Sequence, residues 1–450
     1  MQRFSILLST ILLFIIGCKT SENTEASSDL ISFTDALFKE SIDSNMIAGG
    51  SILIHKDGEV LVDKAYGYAS LELDVPTPEN ATYEIGSVTK QFTAAAILKL
   101  VEEGKLDLEN DFTEYLDFDT GGRTITISNL LDHTSGINSY TEMPNFWELS
   151  IENHPRDTLV RMVEAENFLF EPGEAMIYNN SAYFFLGLII EKVSEMTYEE
   201  YLDEKIFQPL GMNETYYCSN SKVRKNKVYG YNYNPEGLRQ KPYLDHLWPY
   251  AAGSLCSTTE DLLTWLTALH GGKVFDEAMY QSIITPNPLK DGSAIRYAKG
   301  LTNFNDNGHQ CISHGGGIHG FLSETRYYPE EDLTVICLVN TTGPHGGGYF
   351  ADEVTWHLLD KKSKETASID VDLESLTGTY SGQARGRVLT LDVGAIESGL
   401  TVQVQGRENI DTVTSYIGDG RWMDDNQIMT LDGDKLTLDA ISGFYVLTKQ

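Results

Sequence analysis

The chain has 450 residues and a formal net charge of -33, with 66 acidic against 33 basic side chains. Such a surplus repels phosphate backbones, and no Lys/Arg cluster offers a local exception, so no nucleic acid partner is expected. With 41% hydrophobic and 22% charged residues, and Gly and Pro spread along its length, the composition is that of a globular protein of two or three domains and excludes a disordered one.

The first residues read as a targeting segment. Arg3 precedes an apolar stretch, Phe4 to Ile16, too short to span a bilayer with margin, and Ile15-Ile16-Gly17-Cys18 closes it. This resembles a bacterial lipobox, which implies a signal peptide over 1–17, cleavage before Cys18, lipidation of that cysteine and a membrane anchor at the cell envelope. A cleaved secretory signal with an incidental cysteine is the plainer alternative. Residues 18–29 are polar and aperiodic, as a tether should be. Cys218, Cys256, Cys311 and Cys337 remain, and they suit either disulfides or buried thiols, with the pairing open. None lies in a C-x-x-C or Cys/His cluster, so no metal or other cofactor is expected.

Ser28-Asp29 can cap a first helix, in which Leu30, Phe33 and Leu37 recur at helical spacing, running to about Asn45. Ser51 to His55 and Glu59 to Tyr66 flank Lys56-Asp57-Gly58 and predict a hairpin. The helix predicted from Thr89 to Glu103 is apolar almost all round in its first half, which places it inside the protein, and it stops near Gly104. Between Ile125 and Leu269 the pattern is helical, over Ser128 to Asp132, Asp157 to Ala165, Ser181 to Val193, Tyr198 to Ile206 and Thr259 to Leu269. Strands follow at Gln310 to Ser313, Phe321 to Tyr328 and Leu333 to Asn340, then a helix from Ala351 to Asp360. Strands at both ends with helices between predict an α+β domain over 30–360, one sheet built from distant parts of the chain and backed by a helical layer. After a polar linker at 361–370, seven short strand candidates between Gly378 and Leu447 predict a small all-β barrel or sandwich over 371–450.

Three motifs carry chemistry. Ser87-x-x-Lys90 puts a hydroxyl and an amine on one face of a helix start, where burial and the helix dipole favour the neutral amine, a proton acceptor for the hydroxyl. The structural alternative has Ser87 capping the helix and Lys90 reaching solvent. In Tyr178-Asn179-Asn180, Tyr178 can share a proton with Ser87, and Asn180 can orient Lys90 or a substrate amide; alone, the triplet reads as a helix cap. His314-Gly315-Gly316-Gly317 ends a strand, lets a substrate backbone approach, and offers the Gly317 N–H to an oxyanion. His309 and His319 read as solvated loop residues.

The order S-x-x-K, Y-x-N, H-x-G resembles the serine beta-lactamase and penicillin-binding protein superfamily, in the branch of class C beta-lactamases, D-aminopeptidases and esterases. Leu130-Leu131-Asp132-His133-Thr134-Ser135-Gly136, Pro209-Leu210-Gly211-Met212 and Ala252-Gly253-Ser254-Leu255 strengthen the likeness, which runs from about Leu30 to Leu359. It implies the beta-lactamase/transpeptidase-like fold, with Ser87 as nucleophile, Lys90 as its proton acceptor and Tyr178 as the general base that also serves the deacylating water. Asn180, His314 and Gly316 would bind substrate, and the N–H groups of Ser87 and Gly317 would form the oxyanion hole. His133 to Gly136 would brace the surroundings. His314 departs from the lysine of K-T-G in the better-known members, which removes a permanent cation for a substrate carboxylate.

The expected function is therefore a metal-independent serine hydrolase acting on small-molecule esters or peptides in the cell envelope; appended barrels in some relatives shape the cleft or restrict access, and the role of this one is left open. The alternatives are a D,D-carboxypeptidase or beta-lactamase acting on peptidoglycan-like amides, and a non-hydrolytic binding or sensor lipoprotein.

Overall fold

The computed structural model describes residues 28–362, 366–407, 412–424 and 427–450. The leader, Cys18 and most of the tether lie outside the described residues.

Helix α1 (28–43) leads into the hairpin β1 (Gly49–Lys56) and β2 (Glu59–Ser70), then the buried helix α2 (Thr89–Glu102). Gly104 (φ 68°) follows its end in the left-handed region that stops a helix. The short strand β3 (Met176–Ile177) precedes helix α3 (Asn180–Ser194). Strands β4 (Thr302–Asp306), β5 (His309–Ile318), β6 (Phe321–Tyr328) and β7 (Leu333–Val339) follow, then helix α4 (Gly347–Leu358).

The main sheet is antiparallel throughout and runs β4-β5-β6-β7-β1-β2, with Val75–Pro76 at its far edge. The predicted union of distant strands is the register Ile52↔Cys337 and Leu53↔Ile336 between β1 and β7. Alternation divides these strands between two cores. Leu53, Ile336 and Leu338 pack with α2, α3 and the middle helices, whereas Ile52, Ile54, Val335 and Cys337 pack with Leu30, Phe38, Phe350 and Val354 of α1 and α4. Helices thus cover both faces of the sheet rather than one. Helix α4 begins four residues earlier than its sequence predicts, because the glycines at 346–348 masked its start.

Cys218 and Cys256 form a disulfide, and Cys311 and Cys337 are buried free thiols in the core beneath α1 and α4.

The C-terminal segment forms a nearly closed, barrel-like antiparallel sheet around Tyr380, Leu391, Trp422, Leu436 and Leu447. It includes β8 (Gly378–Ala384), β9 (Arg387–Ile396) and β10 (Gly443–Lys449). The strand predicted over Thr412 to Ile417 is split into Thr412–Val413 and Ser415–Gly418, and Arg421–Asp424 is an additional strand. The tenth strand is β3: Met176 pairs with Phe444 and Ile177 with Gly443, so the segment before Tyr178 is stitched to the barrel by backbone hydrogen bonds.

Candidate active site

Ser87 lies in the 3-10 turn Gly86–Val88 that runs directly into α2. Gly86 adopts φ 52°, and a Cβ there would stand 2.9 Å from the Gly317 nitrogen, so glycine lets the turn rest against β5. The N-cap of α2 is Val88 and no side chain caps it, which leaves the Ser87 hydroxyl unspent. Lys90 is fully buried, against the alternative in which it reaches water.

The Lys90 Nζ atom has three polar contacts: Asn180 Oδ1 at 2.8 Å, the Ala252 carbonyl at 2.7 Å and Ser87 Oγ at 3.1 Å. It also stands 4.7 Å from the centroid of the Tyr178 ring and 5.5 Å from that of Tyr183. Burial, and secondarily the charge of Arg385, hold the Lys90 amine well below the ordinary lysine range. A neutral amine has two N–H groups and one lone pair. In that form the two carbonyl-type oxygens can take the N–H groups, which leaves the lone pair for the Ser87 hydroxyl; the charged amine would instead donate to all three.

Tyr178 connects β3 to α3. Asn179 is the N-cap, its side chain accepting from the Ala182 N–H, and Asn180 opens the helix with its side chain held between Lys90 and Thr141 Oγ1. The cap falls on Asn179, and the contact with Lys90 on the next residue, Asn180. Burial raises the Tyr178 phenol, with Ser87 and Arg385 opposing, so it is protonated at neutral pH. Its hydroxyl has no well-formed hydrogen bond to a protein group, although it lies close enough to Ser87 to feel it. His133 braces this tyrosine as expected: its ring packs 4.5 Å from that of Tyr178, and its Nδ1 accepts from the Asn179 N–H.

His314 is buried on β5 between two groups that fix its tautomer. Nδ1–H donates to the Gly315 carbonyl at 2.6 Å, and Nε2 therefore accepts from the Tyr297 hydroxyl at 2.9 Å. Burial pulls this imidazole down to about 3, so it is uncharged at neutral pH. Gly315 and Gly317 line the cavity with Ser87. Gly316, expected to bind substrate, is not among the lining residues: a side chain there would strike the Ile85 carbonyl and Ser323 Oγ, so its part is to let β5 lie against the Ser87 turn. The histidine and its three glycines lie within β5, which continues to Ile318, and not at a strand end.

The cavity above Ser87 measures about 740 Å³. Phe146, Trp147, Leu244 and Ile318 give it an apolar wall, and Arg385, Ile441 and Ser442 enter it from the barrel. Two histidines differ from expectation. His309 is buried on β5, bonded to Glu331 and the Asp360 carbonyl, and His319 lines the cavity with its ring stacked 5.0 Å from Trp147. Sequence reasoning missed Tyr297, Trp147, Glu142 and Arg385. None belongs to a motif, and Arg385 occupies the two-residue turn between β8 and β9, indistinguishable in sequence from any barrel hairpin. Among the described residues no cluster of three or more His, Cys, Asp or Glu side chains is placed to hold a metal.

A sheet clad in helices on both faces, with serine and lysine at the start of a buried helix beside β5 and β6, is the beta-lactamase-like fold. The chain belongs to the beta-lactamase family, whose model, described as Beta-lactamase, matches residues 34–359. Protein flp of Staphylococcus aureus (strain MRSA252) is 30% identical over 314 residues, 68% of this chain, which spans only 62% of that protein's length. Penicillin-binding protein 4* of Bacillus subtilis is 31% identical over 309 residues, covering 65% of this chain and 68% of that protein. Among solved structures, an octameric penicillin-binding protein homologue from Pyrococcus abyssi has a TM-score of 0.67 at 26% identity, covering 93% of this chain and 100% of that one. So large a share has to include the barrel.

Proposed function

We propose that this chain is a serine hydrolase working by acyl transfer through Ser87, on esters or small peptide amides with an apolar acyl group. One observation carries the reading: a fully buried lysine, its pKa pushed well down by burial, whose Nζ stands 3.1 Å from the Ser87 hydroxyl and is held there by Asn180 Oδ1 and the Ala252 carbonyl.

In the first half-reaction Lys90 takes the proton of the Ser87 hydroxyl as Oγ attacks the carbonyl carbon. The N–H groups of Ser87 and Gly317 receive the oxyanion. Tyr178 works as a neutral phenol rather than as a standing general base, because burial keeps its proton on. It gives that proton to the departing oxygen or nitrogen, and the proton held on Lys90 replaces it. Collapse leaves an acyl ester on Ser87 and both side chains in their starting forms. Water then repeats the sequence in reverse, losing its proton by the same route and releasing the acid. Asn180 and the Ala252 carbonyl orient the lysine throughout, and Phe146, Trp147 and Leu244 shelter the acyl chain.

The uncharged His314 favours substrates without an obligatory anion on that strand and weighs against beta-lactamase as the principal activity. Intact-mass measurement after exposure to a fluorophosphonate, penicillin and p-nitrophenyl acetate tests the reading. Adducts or turnover should depend on Ser87, vanish in Ser87→Ala, and persist with a chelator. Labelling by penicillin without ester turnover would favour the D,D-peptidase reading, and no labelling the binding protein. We propose also that Cys18 carries a lipid anchor, holding the enzyme at the bacterial envelope; incorporation of labelled palmitate should be lost in Cys18→Ser.

A further inference from the structure

The turn between β8 and β9 brings a barrel side chain into the cavity wall beside the reacting groups. Arg385 Nε donates to Glu142 Oε1 at 2.7 Å, its guanidinium carbon stands 5.2 Å from the centroid of the Tyr178 ring, and the side chain remains 38% exposed. Neither of its Nη groups has a protein hydrogen-bond partner among the described residues. The other arginine lining the cavity, Arg326, is surrounded by three carboxylates, Asp352 at 2.6 Å, Glu324 at 3.4 Å and Asp306 at 3.8 Å, whereas Arg385 is paired with Glu142 through its Nε edge alone. Lys90 is buried with its contacts filled, and His314 is uncharged. Arg385 is thus the cation on the cavity wall with unspent donors, presented as a planar fork that matches a carboxylate.

We propose that Arg385 binds a carboxylate on the leaving group of the substrate, so that the barrel, and not the strand bearing His314, supplies the anion-recognising cation; the proposal rests on the acyl-transfer reading given above. The side of the scissile bond follows from Tyr178. Its phenol hands the proton to the departing atom, and Arg385 stands over its ring, so an anion held by the guanidinium belongs to the departing group. Glu142 keeps the Nε edge and fixes the plane of the fork, leaving the Nη edge to the substrate. The substrates that fit are acyl derivatives of small amino, hydroxy or thiol acids with a free carboxylate, the C-terminal residue of a short peptide being one.

The test compares hippuryl thioglycolate, whose departing thiol bears a carboxylate, with its methyl ester, in which the charge is gone. Wild-type kcat/KM should favour the carboxylate by about tenfold or more, mostly through KM, as expected for a charge-assisted hydrogen-bonded pair. The ratio should collapse to about one in Arg385→Ala, be partly kept in Arg385→Lys, and fall below one in Arg385→Glu. Circular dichroism and melting temperature check that each variant is folded. No preference in the wild type, or a preference that survives Arg385→Ala, overturns the proposal. In parallel, p-nitrophenyl acetate is given to wild type and Ser87→Ala. Ser87-dependent turnover without the charge preference sinks the role of Arg385 alone, whereas no Ser87-dependent turnover of any of the three sinks the acyl-transfer reading and this proposal with it.

Discussion

The main-chain N–H of Tyr178 donates to the carbonyl of Ser442 across 3.3 Å, extending by one residue the pairing of β3 with β10. The tyrosine beside Ser87 is therefore placed from one side by α3 and from the other by the barrel. A small cluster seals the joint, in which Phe444 packs with Met176, Leu289, Ile295 and Tyr297, with Tyr178 against it.

That joint predicts the effect of a substitution outside the cavity lining. Phe444→Ala removes most of a buried aromatic ring and should destabilise the junction by about 3–5 kcal/mol. Turnover of p-nitrophenyl acetate, measured well below the lowered melting temperature, should fall because Tyr178 and Tyr297 lose their shared backing. Full activity in a folded Phe444→Ala would show that the barrel does not position the tyrosine.

Lys90→Met should lower turnover by about 10²–10⁴-fold, the range for loss of a positioned acid-base group. Its stability should move the other way. Because burial holds the folded lysine well below its unfolded value, the unfolded chain binds more protons wherever the two differ, and stability rises with pH up to the ordinary lysine value near 10.5. Removing the amine should therefore raise the melting temperature at pH 7, by an amount that shrinks toward pH 10.5. Because the substitution also leaves Asn180 Oδ1 and the Ala252 carbonyl without a donor, the pH dependence decides: a melting-temperature difference between wild type and Lys90→Met that does not change from pH 7 to 10.5 would contradict a neutral buried amine.

His314 should not appear in the pH-rate profile between pH 5 and 8, since its ring stays uncharged down to about 3. The depressed folded value means that stability is complete above the unfolded value near 6.5 and is lost as pH falls from there toward 3, by about 1.4 kcal/mol at most per pH unit. His133, depressed in the same sense mainly by burial, adds to the acid side. Thermal melts from pH 7 to 4 check the slope, and His314→Gln, which keeps an acceptor for Tyr297, should flatten it.

Trp147 is 63% exposed yet lines the cavity and stacks on His319, an arrangement suited to cover an acyl chain. Trp147→Ala should lower kcat/KM for p-nitrophenyl butyrate more than for the acetate. Equal loss on both esters would place the acyl chain elsewhere.

Much of this site was legible because its chemistry is local in sequence. A serine and a lysine three residues apart at the start of an apolar helix can hardly avoid meeting, and the tyrosine and asparagine of the second motif are fixed by a helix N-terminus. The sheet was legible for a related reason: Asp57-Gly58 marks the first hairpin, and a nearly unbroken apolar run marks β7 as a central strand. What stayed hidden depends on contacts that no short pattern encodes. Met176–Ile177 is too short to announce a strand and becomes one by borrowing the edge of the barrel. Arg385 is an ordinary turn residue until the barrel docks. The pairing of Cys218 with Cys256 follows from the approach of two strands, Tyr216–Tyr217 and Leu255–Cys256-Ser257, that share no periodic signal.

The register between β1 and β7 bears on how the molecule is made. The first hairpin emerges early in synthesis, but its central neighbour arrives only with residues 333–339. Until then β1 offers an unpaired edge rich in isoleucine and leucine, the kind of surface that invites association between nascent copies. The topology thus leaves a sticky strand waiting for the greater part of the chain's synthesis.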